Sequence, residues 1–189
     1  SATPFQLFKH TAGEGASSVP AIVRLPHQYK KVQQSSEFVS IRDILPTEAE
    51  AIIDISYYNG KKATTVDDVL LMLAKIRKDY REGNAINWGI VEVASGKIAG
   101  SCGFYRGFEN GTGELGCILH EAFRGKGLMT SAMQLAIQFG WKQLQLSRII
   151  SITKKDNNKD IQLLKRLGFV EIAHLENNYT EYELKKPNT

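Results

Sequence analysis

Two cysteines in 189 residues are too few for a disulfide framework. Cys102 and Cys117 are expected to be reduced core residues of a cytoplasmic protein. The chain also lacks any run of about 18 apolar residues, so no membrane-spanning helix is expected. It has no block of lysine and arginine, and its net charge is only +4. That charge leaves an anionic ligand, nucleic acid or the ribosome open as partners, but a slightly basic soluble enzyme is the plainer reading. Four histidines, His10, His27, His120 and His174, show no ligand spacing, so a metal is not expected. Repeats and low-complexity tracts are absent. No charged stretch followed by an apolar one opens the chain, so a signal peptide is not expected. The glycosylation sequons at Asn110 and Asn178 are then chance matches.

What is present fits one folded domain. A chain of this length can bury a real core, and 42% hydrophobic with 23% charged residues is ordinary for a globular protein. Residues 1–35 are the least readable: Phe5 to Phe8 and Ala21 to Leu25 alternate with Gly and Pro punctuation. They are set apart as an extension, and residues 36–189 as the domain.

Within the domain, Glu37 to Ile44 reads as a strand. Thr47 with Glu50 reads as a capping box opening a helix from Glu48 to Ser56. A second helix is expected from Thr65, with Val66, Val69, Leu70, Leu73, Ile76 and Tyr80 on one face. Ala85 to Ala94 and Lys97 to Phe108 read as strands joined at Ser95-Gly96. Asn110-Gly111 then signals a two-residue hairpin into a third strand. With that turn, Cys102 faces Leu119 and Cys117 faces Phe104, making the thiols diagonal neighbours. Arg148 to Thr153 reads as a short strand, and Asn157 or Asn158 as the cap of a helix that Gly168 ends. Phe169 to Leu175 and Tyr179 to Leu184 close the domain as a hairpin.

The chain is organised around Gly113 to Met133, GELGCILHEAFRGKGLMTSAM. Glu114 to His120 reads as a strand. After a charged turn, Arg124-Gly125-Lys126-Gly127 opens a helical pattern carrying Leu128, Ala132, Leu135, Ala136 and Phe139 on one face. A strand that runs through a glycine-rich turn into a helix start is an anion cradle, because free N–H groups and the helix dipole converge there. Two other phosphate motifs fail. Gly111 to Gly116 matches G-x-G-x-x-G, but it follows a turn and enters a strand, whereas a dinucleotide fingerprint follows a strand and opens a helix. A P-loop requires glycine where His120 stands.

This stretch resembles the acetyl-CoA-binding signature of the GNAT acetyltransferase superfamily, Q/R-x-x-G-x-G/A. Arg124 takes the first position and Gly127 the glycine, while Met129 departs from the final Gly or Ala. The run RGKG-L-M-T resembles the branch that acetylates the N-termini of ribosomal proteins, although Ser131-Ala132 stands where that branch has Glu-Ala. A second resemblance lies in Asn157 to Phe169, NNKDIQLLKRLGF. There Asn157 takes the position that contacts the cofactor in the family, and Asp160 replaces the usual Ser or Ala. The two motifs follow in family order and the likeness covers about Ser36 to Lys186.

The resemblance implies an α+β GNAT fold, a mixed and mostly antiparallel sheet of about seven strands with helices on both faces. It implies acetyl transfer from acetyl-CoA to an amine by direct attack on the thioester, without a metal. The main chain of Cys117, Ile118 and Leu119 would pair with the cofactor. Arg124, Gly125, Lys126, Gly127, Leu128, Met129 and Thr130 would hold its pyrophosphate, with Lys154 or Lys155 adding charge. Glu114 would be the general base, in small and apolar surroundings that raise its pKa if it is buried. His120 competes for that role, and its place at the strand end favours a turn contact. The family's tyrosine acid falls on Leu164 here, leaving no assigned acid. The acceptor implied by the branch is the N-terminal amine of a protein or peptide, such as a ribosomal protein. An α-amine near pKa 8 costs about 1 kcal/mol to neutralise at pH 7, against roughly 4–5 for an amine near 10.4. A small amine such as an amino sugar or polyamine stays open, as does a non-catalytic CoA-binding module. Asp54, Asp67 and Asp68 are weak candidates for binding a cationic acceptor, whereas Tyr57 and Tyr58 serve either substrate or packing. No nucleic-acid site is evident, and the chain is expected to be a monomer or homodimer.

Overall fold

A computed structural model of the chain describes residues 34–187. The described residues of 1–35 are Gln34–Ser35, which form a first strand (β1). The rest of that segment, with His10 and His27, lies outside the described residues. The main sheet continues with Val39–Arg42 (β2), and a two-residue hairpin of Tyr57–Tyr58 (β3) and Lys61–Lys62 (β4) stands apart. Then come Ile86–Glu92 (β5), Ile98–Tyr105 (β6), Thr112–Leu119 (β7), Arg148–Lys154 (β8), Val170–Leu175 (β9) and Tyr179–Lys185 (β10). The sheet has eight strands in the order β1-β2-β5-β6-β7-β8-β10-β9. Every neighbouring pair is antiparallel except β7 with β8.

Helices cover both faces, as a sheet with two apolar faces requires. Val66–Arg81 (α1) buries Val69 and Leu73 on one side, with Ile52, Ile55 and Ile98. Leu128–Lys142 (α2) and Asn158–Arg166 (α3) pack on the other. There Met133, Phe139 and Leu164 meet Leu115, Leu119, Phe104 and Trp88.

The expected start of α1 is borne out. Thr65 sits extended at the cap and its hydroxyl accepts from Asp68 N–H at 3.1 Å. Asp68 Oδ2 accepts in return from the N–H groups of Thr64 and Thr65. These bonds, Thr64's first, hold the Asp68 carboxyl down at about 2. A depressed acid stabilises the fold above its unfolded value, so this support is complete above about pH 4 and fades as pH falls toward 2. Thr65→Ala is expected to lower stability by about 1 kcal/mol. The check is an earlier urea midpoint with an unchanged slope.

The segment before it differs from expectation. Instead of one helix capped by Thr47, two short 3-10 turns run over Pro46–Glu48 and Glu50–Ile55. Glu48, not Glu50, closes the box by accepting from Leu45 N–H at 2.8 Å. It is also held by the Arg42 guanidinium at 2.7 and 2.9 Å, so the carboxylate is anchored to β2.

The β6–β7 connection also differs. Cys102 pairs directly with Cys117, two residues out of the expected register. Asn110 and Gly111 do take the left-handed conformations that an Asn-Gly turn needs, at φ 52° and 67°. Arg106 and Gly107, however, are left-handed already, at φ 62° and 83°, and end β6 at Tyr105. Phe108 is then drawn into the core against Phe104, with ring centroids 6.1 Å apart. Burial of that aromatic sets a wider loop than the dipeptide alone implies. Both cysteines are free thiols.

Candidate active site

A cavity of about 440 Å³ lies between β7 and α1, and Glu114 lines it. Strand alternation puts Glu114, Gly116 and Ile118 on this side, as the sequence implies. The surroundings are more polar than expected. Arg106 Nη1 lies 2.5 Å from Glu114 Oε2, and the left-handed backbone at Arg106 aims its side chain back into the cavity. Opposite Glu114 on β6, Tyr105 accepts a hydrogen bond from Asn87 Nδ2 at 2.8 Å. Its ring lies over Gly116, where a Cβ would come within 3.0 Å of it. Burial pushes the Tyr105 phenol well above its usual range. From the α1 side, Tyr58 donates to Asp79 Oδ2 at 3.0 Å, and Tyr57 stands beside it in the cavity wall. Arg106 carried no sequence motif; the signal available was only its place beside Gly107 at a strand end.

Beside this cavity the sheet opens. β7 and β8 pair only over Thr112↔Arg148, Gly113↔Ile149 and Glu114↔Ile150, yet β7 runs on to Leu119 and β8 to Lys154. The buried Ser151 hydroxyl donates to Leu115 O at 3.0 Å, and no further ladder pair follows. Alternation therefore turns the main-chain groups of Cys117 and Leu119 into the gap. Those of Gly116 and Ile118 face β6, as His120 N–H does in bonding Ala99 O at 2.9 Å. Ile118, expected among the cofactor-pairing residues, thus presents its main chain to β6 and its side chain to the α1 core. A gap with unpaired strand edge is where an extended amide-bearing ligand fits.

The glycine-rich turn closes one end of the gap. Arg124, Gly125, Lys126 and Gly127 are all exposed, and Arg124 Nη2 donates to Leu119 O at 3.3 Å. Gly125 and Gly127 are left-handed at φ 78° and 76°, with no atom within 4 Å of an added Cβ. The glycines are required by backbone conformation, and the space around them is open for an anion at the start of α2. Leu128 is buried and anchors the helix, while Met129 and Thr130 are half-buried in its first turn. Lys126 is held by Glu92 at 3.1 Å and lies 5.1 Å above the Phe123 ring. Ser95 first, then Lys126, lowers the Glu92 carboxyl. Arg166 of α3 reaches Thr130 Oγ1 at 3.4 Å, a second cation at this end that no motif signalled.

The opposite wall of the gap is α3. Asn157 occupies the cap position but makes no capping bond; its amide donates instead to Asp160 Oδ2. Thr153 Oγ1 lies 3.4 Å from the same oxygen. Burial raises the Asp160 carboxyl, against the Thr153 and Asn157 bonds and the charge of Arg124. Lys154 ends β8 and Lys155 follows it, exposed. His120 does not line the Glu114 cavity. It sits at the strand end, its ring 6.4 Å from Phe123, as a turn residue should.

A strand ending in a glycine turn and helix, beside a parallel pair that separates after three residues, matches a known family. Residues 41–170 fit the model of the acetyltransferase (GNAT) domain. The chain belongs to the GNAT acetyltransferases. Members of this family are acetyl-CoA-dependent N-acetyltransferases. The uncharacterized N-acetyltransferase p20 of Bacillus licheniformis is 32% identical over 114 residues, 60% of this chain and 64% of that protein. Spermidine N(1)-acetyltransferase of Escherichia coli (strain K12) is 38% identical over 56 residues, 30% of each chain. The crystal structure of ribosomal-protein-S5-alanine acetyltransferase from Vibrio fischeri superposes with a TM-score of 0.66. Its sequence identity is 20%, with 82% of this chain and 100% of that one covered. No helix among the described residues is long and apolar enough to cross a membrane.

Proposed function

We propose that the protein transfers the acetyl group of acetyl-CoA to a primary amine, and that the acceptor is the N-terminal amine of a protein or peptide. The GNAT gap and cradle fit the donor. The main chain of Cys117 and Leu119 would pair with its extended arm, and Arg124 to Thr130 would hold its pyrophosphate through N–H groups. Asn157 lies across the gap with its amide turned to Asp160, and it would meet the donor there. The reacting amine would enter the cavity beside Glu114, which takes its proton through a water as the nitrogen attacks the thioester carbonyl. Positioning and main-chain donors at the developing oxyanion supply the rest of the rate.

One observation carries the choice of acceptor. Two of the three carboxylates lining this cavity are engaged, Glu114 by Arg106 and Asp79 by the Tyr58 hydroxyl, which leaves Glu176. A polyamine carries several charges and needs several unengaged carboxylates, whereas an α-amine arrives with one and is cheaper to neutralise. The spermidine acetyltransferase likeness favours the second reading, a polyamine acceptor. CoA release from acetyl-CoA is the deciding assay, run against peptides with free N-termini, amino sugars and polyamines. Turnover with peptides is expected. Turnover with a polyamine or amino sugar and none with peptides replaces the acceptor assignment.

A further inference from the structure

Attack on a thioester needs two proton movements. The amine loses a proton, and the departing sulfur, a thiolate with an ordinary pKa near 8.5, gains one. Glu114 accounts for the first. The second has no group assigned so far: Leu164, an apolar residue 1% exposed, has no proton to give. Asp160 lies one turn earlier on the same face of α3, at the i, i+4 spacing that stacks two side chains. We propose that Asp160 is the general acid that protonates the coenzyme A thiolate. This rests on the acetyl-transfer function proposed above.

Three features of its placement support this role. Asp160 stands on the face of β7 opposite Glu114. Its charge reaches the Cys117 thiol, which shares the α2–α3 face with Leu115 and Leu119 and lies 3.5 Å from Met133 Sδ. A thioester in the gap between β7 and β8 is therefore met by Glu114 from one face and Asp160 from the other. Next, the two oxygens of Asp160 are unequal. Oδ2 accepts from Asn157 and Thr153, whereas Oδ1 has no hydrogen-bond partner among the described residues and is where a proton would sit. Last, its surroundings favour keeping that proton. The groups facing it are the neutral Asn157 and Thr153, the Arg124 guanidinium from the turn before α2, and Cys117 from β7, itself pushed up by burial and so a neutral thiol. Arg124 alone opposes protonation by charge, and burial outweighs it. A carboxyl raised in this way keeps its proton to a higher pH than an exposed one, which suits donation to a thiolate.

The step balances without any further reagent. The amine nitrogen forms a bond to the acetyl carbon and its proton passes to Glu114. The carbon–sulfur bond breaks, the electron pair goes to sulfur, and the Asp160 Oδ1 proton follows it. Glu114 then loses a proton to water and Asp160 regains one. The products are the N-acetylated amine and coenzyme A as a neutral thiol.

The test is steady-state turnover of the whole chain with acetyl-CoA and its best amine across pH, for the wild type and Asp160→Asn. Asparagine keeps the size and the hydrogen bonds but has no acidic proton. The wild type is expected to show an alkaline limb in kcat. Asp160→Asn is expected to lose that limb and about 10²-fold in kcat, with KM for acetyl-CoA within roughly threefold. A structural residue would change KM or the unfolding temperature and leave the limb in place. A wild type with no alkaline limb, or an Asp160→Asn enzyme that keeps rate and limb, overturns the assignment. If Asp160→Asn does not fold, Asp160→Ser, which keeps a hydrogen-bonding oxygen but has no carboxyl proton, is measured in its place, with the same loss of limb expected and the same result overturning the assignment. A wild type that releases no coenzyme A with any amine overturns the acetyl-transfer function itself, and the role of Asp160 with it.

Discussion

Replacing Glu114 by glutamine is expected to lower kcat by about 10²-fold or more while acetyl-CoA affinity stays close to that of the wild type. The expectation follows from where the carboxylate stands. It lies on the cavity side of β7, at the last position paired with β8, where the gap begins. Glutamine keeps the shape and a hydrogen-bonding oxygen toward Arg106, so the cavity wall is preserved and only the proton acceptor is lost. The loss is therefore expected in kcat and in the acid-side limb of its pH profile, since a base must be ionised to work. Calorimetry with acetyl-CoA separates this from damage to the donor site. A variant that retains both its rate and its acid-side limb removes Glu114 from the mechanism.

Valine at Gly127 should act on the other substrate. Gly127 is left-handed at φ 76°, which costs a β-branched residue on the order of 1–3 kcal/mol or forces the turn to reshape. Among the described residues nothing else opposes an added Cβ, which meets no atom within 4 Å. Folding should therefore survive, and the penalty should fall on the turn whose N–H groups are proposed to hold the pyrophosphate. Affinity for coenzyme A, measured by calorimetry, is expected to weaken by roughly 10- to 100-fold. Gly127→Val binding as tightly as the wild type would move the phosphate site elsewhere.

Much of this arrangement was legible because it is written in local chemistry. Thr65 before Val66, Gly127 before Leu128 and Gly168 after α3 are start and stop positions whose geometry is set within a few residues, and each appears where expected. The alternation of β7 likewise placed Glu114 on a face apart from Leu115 and Cys117. Other features depended on distant partners. Glu48 is captured by Arg42 from β2, and that contact, not the Thr47–Glu50 spacing, shapes the segment after β2. Phe108 enters a core assembled from α2, β6 and β8, which shifts the β6–β7 register by two residues and brings the cysteines face to face. Asn157 was expected as a cap, but the neighbouring half-buried Asp160 takes its amide. Arg106 had only its place beside Gly107 to mark it, since its direction is set by a left-handed backbone that arginine seldom adopts.

The parting of β7 from β8 bears on how such a chain drifts over time. At Cys117 and Leu119 the gap offers peptide groups, which every residue type except proline can supply in full. A substitution along that edge changes the packing beneath it and leaves the outward-facing amide in place. On the donor-binding role proposed above, what inheritance must preserve is the count of residues from the last paired position to the glycine turn, together with the left-handed turn itself. Letters can be exchanged; spacing cannot. Lineages that hold this interval can diverge until little else in their spelling agrees, and still leave the same opening in the same sheet.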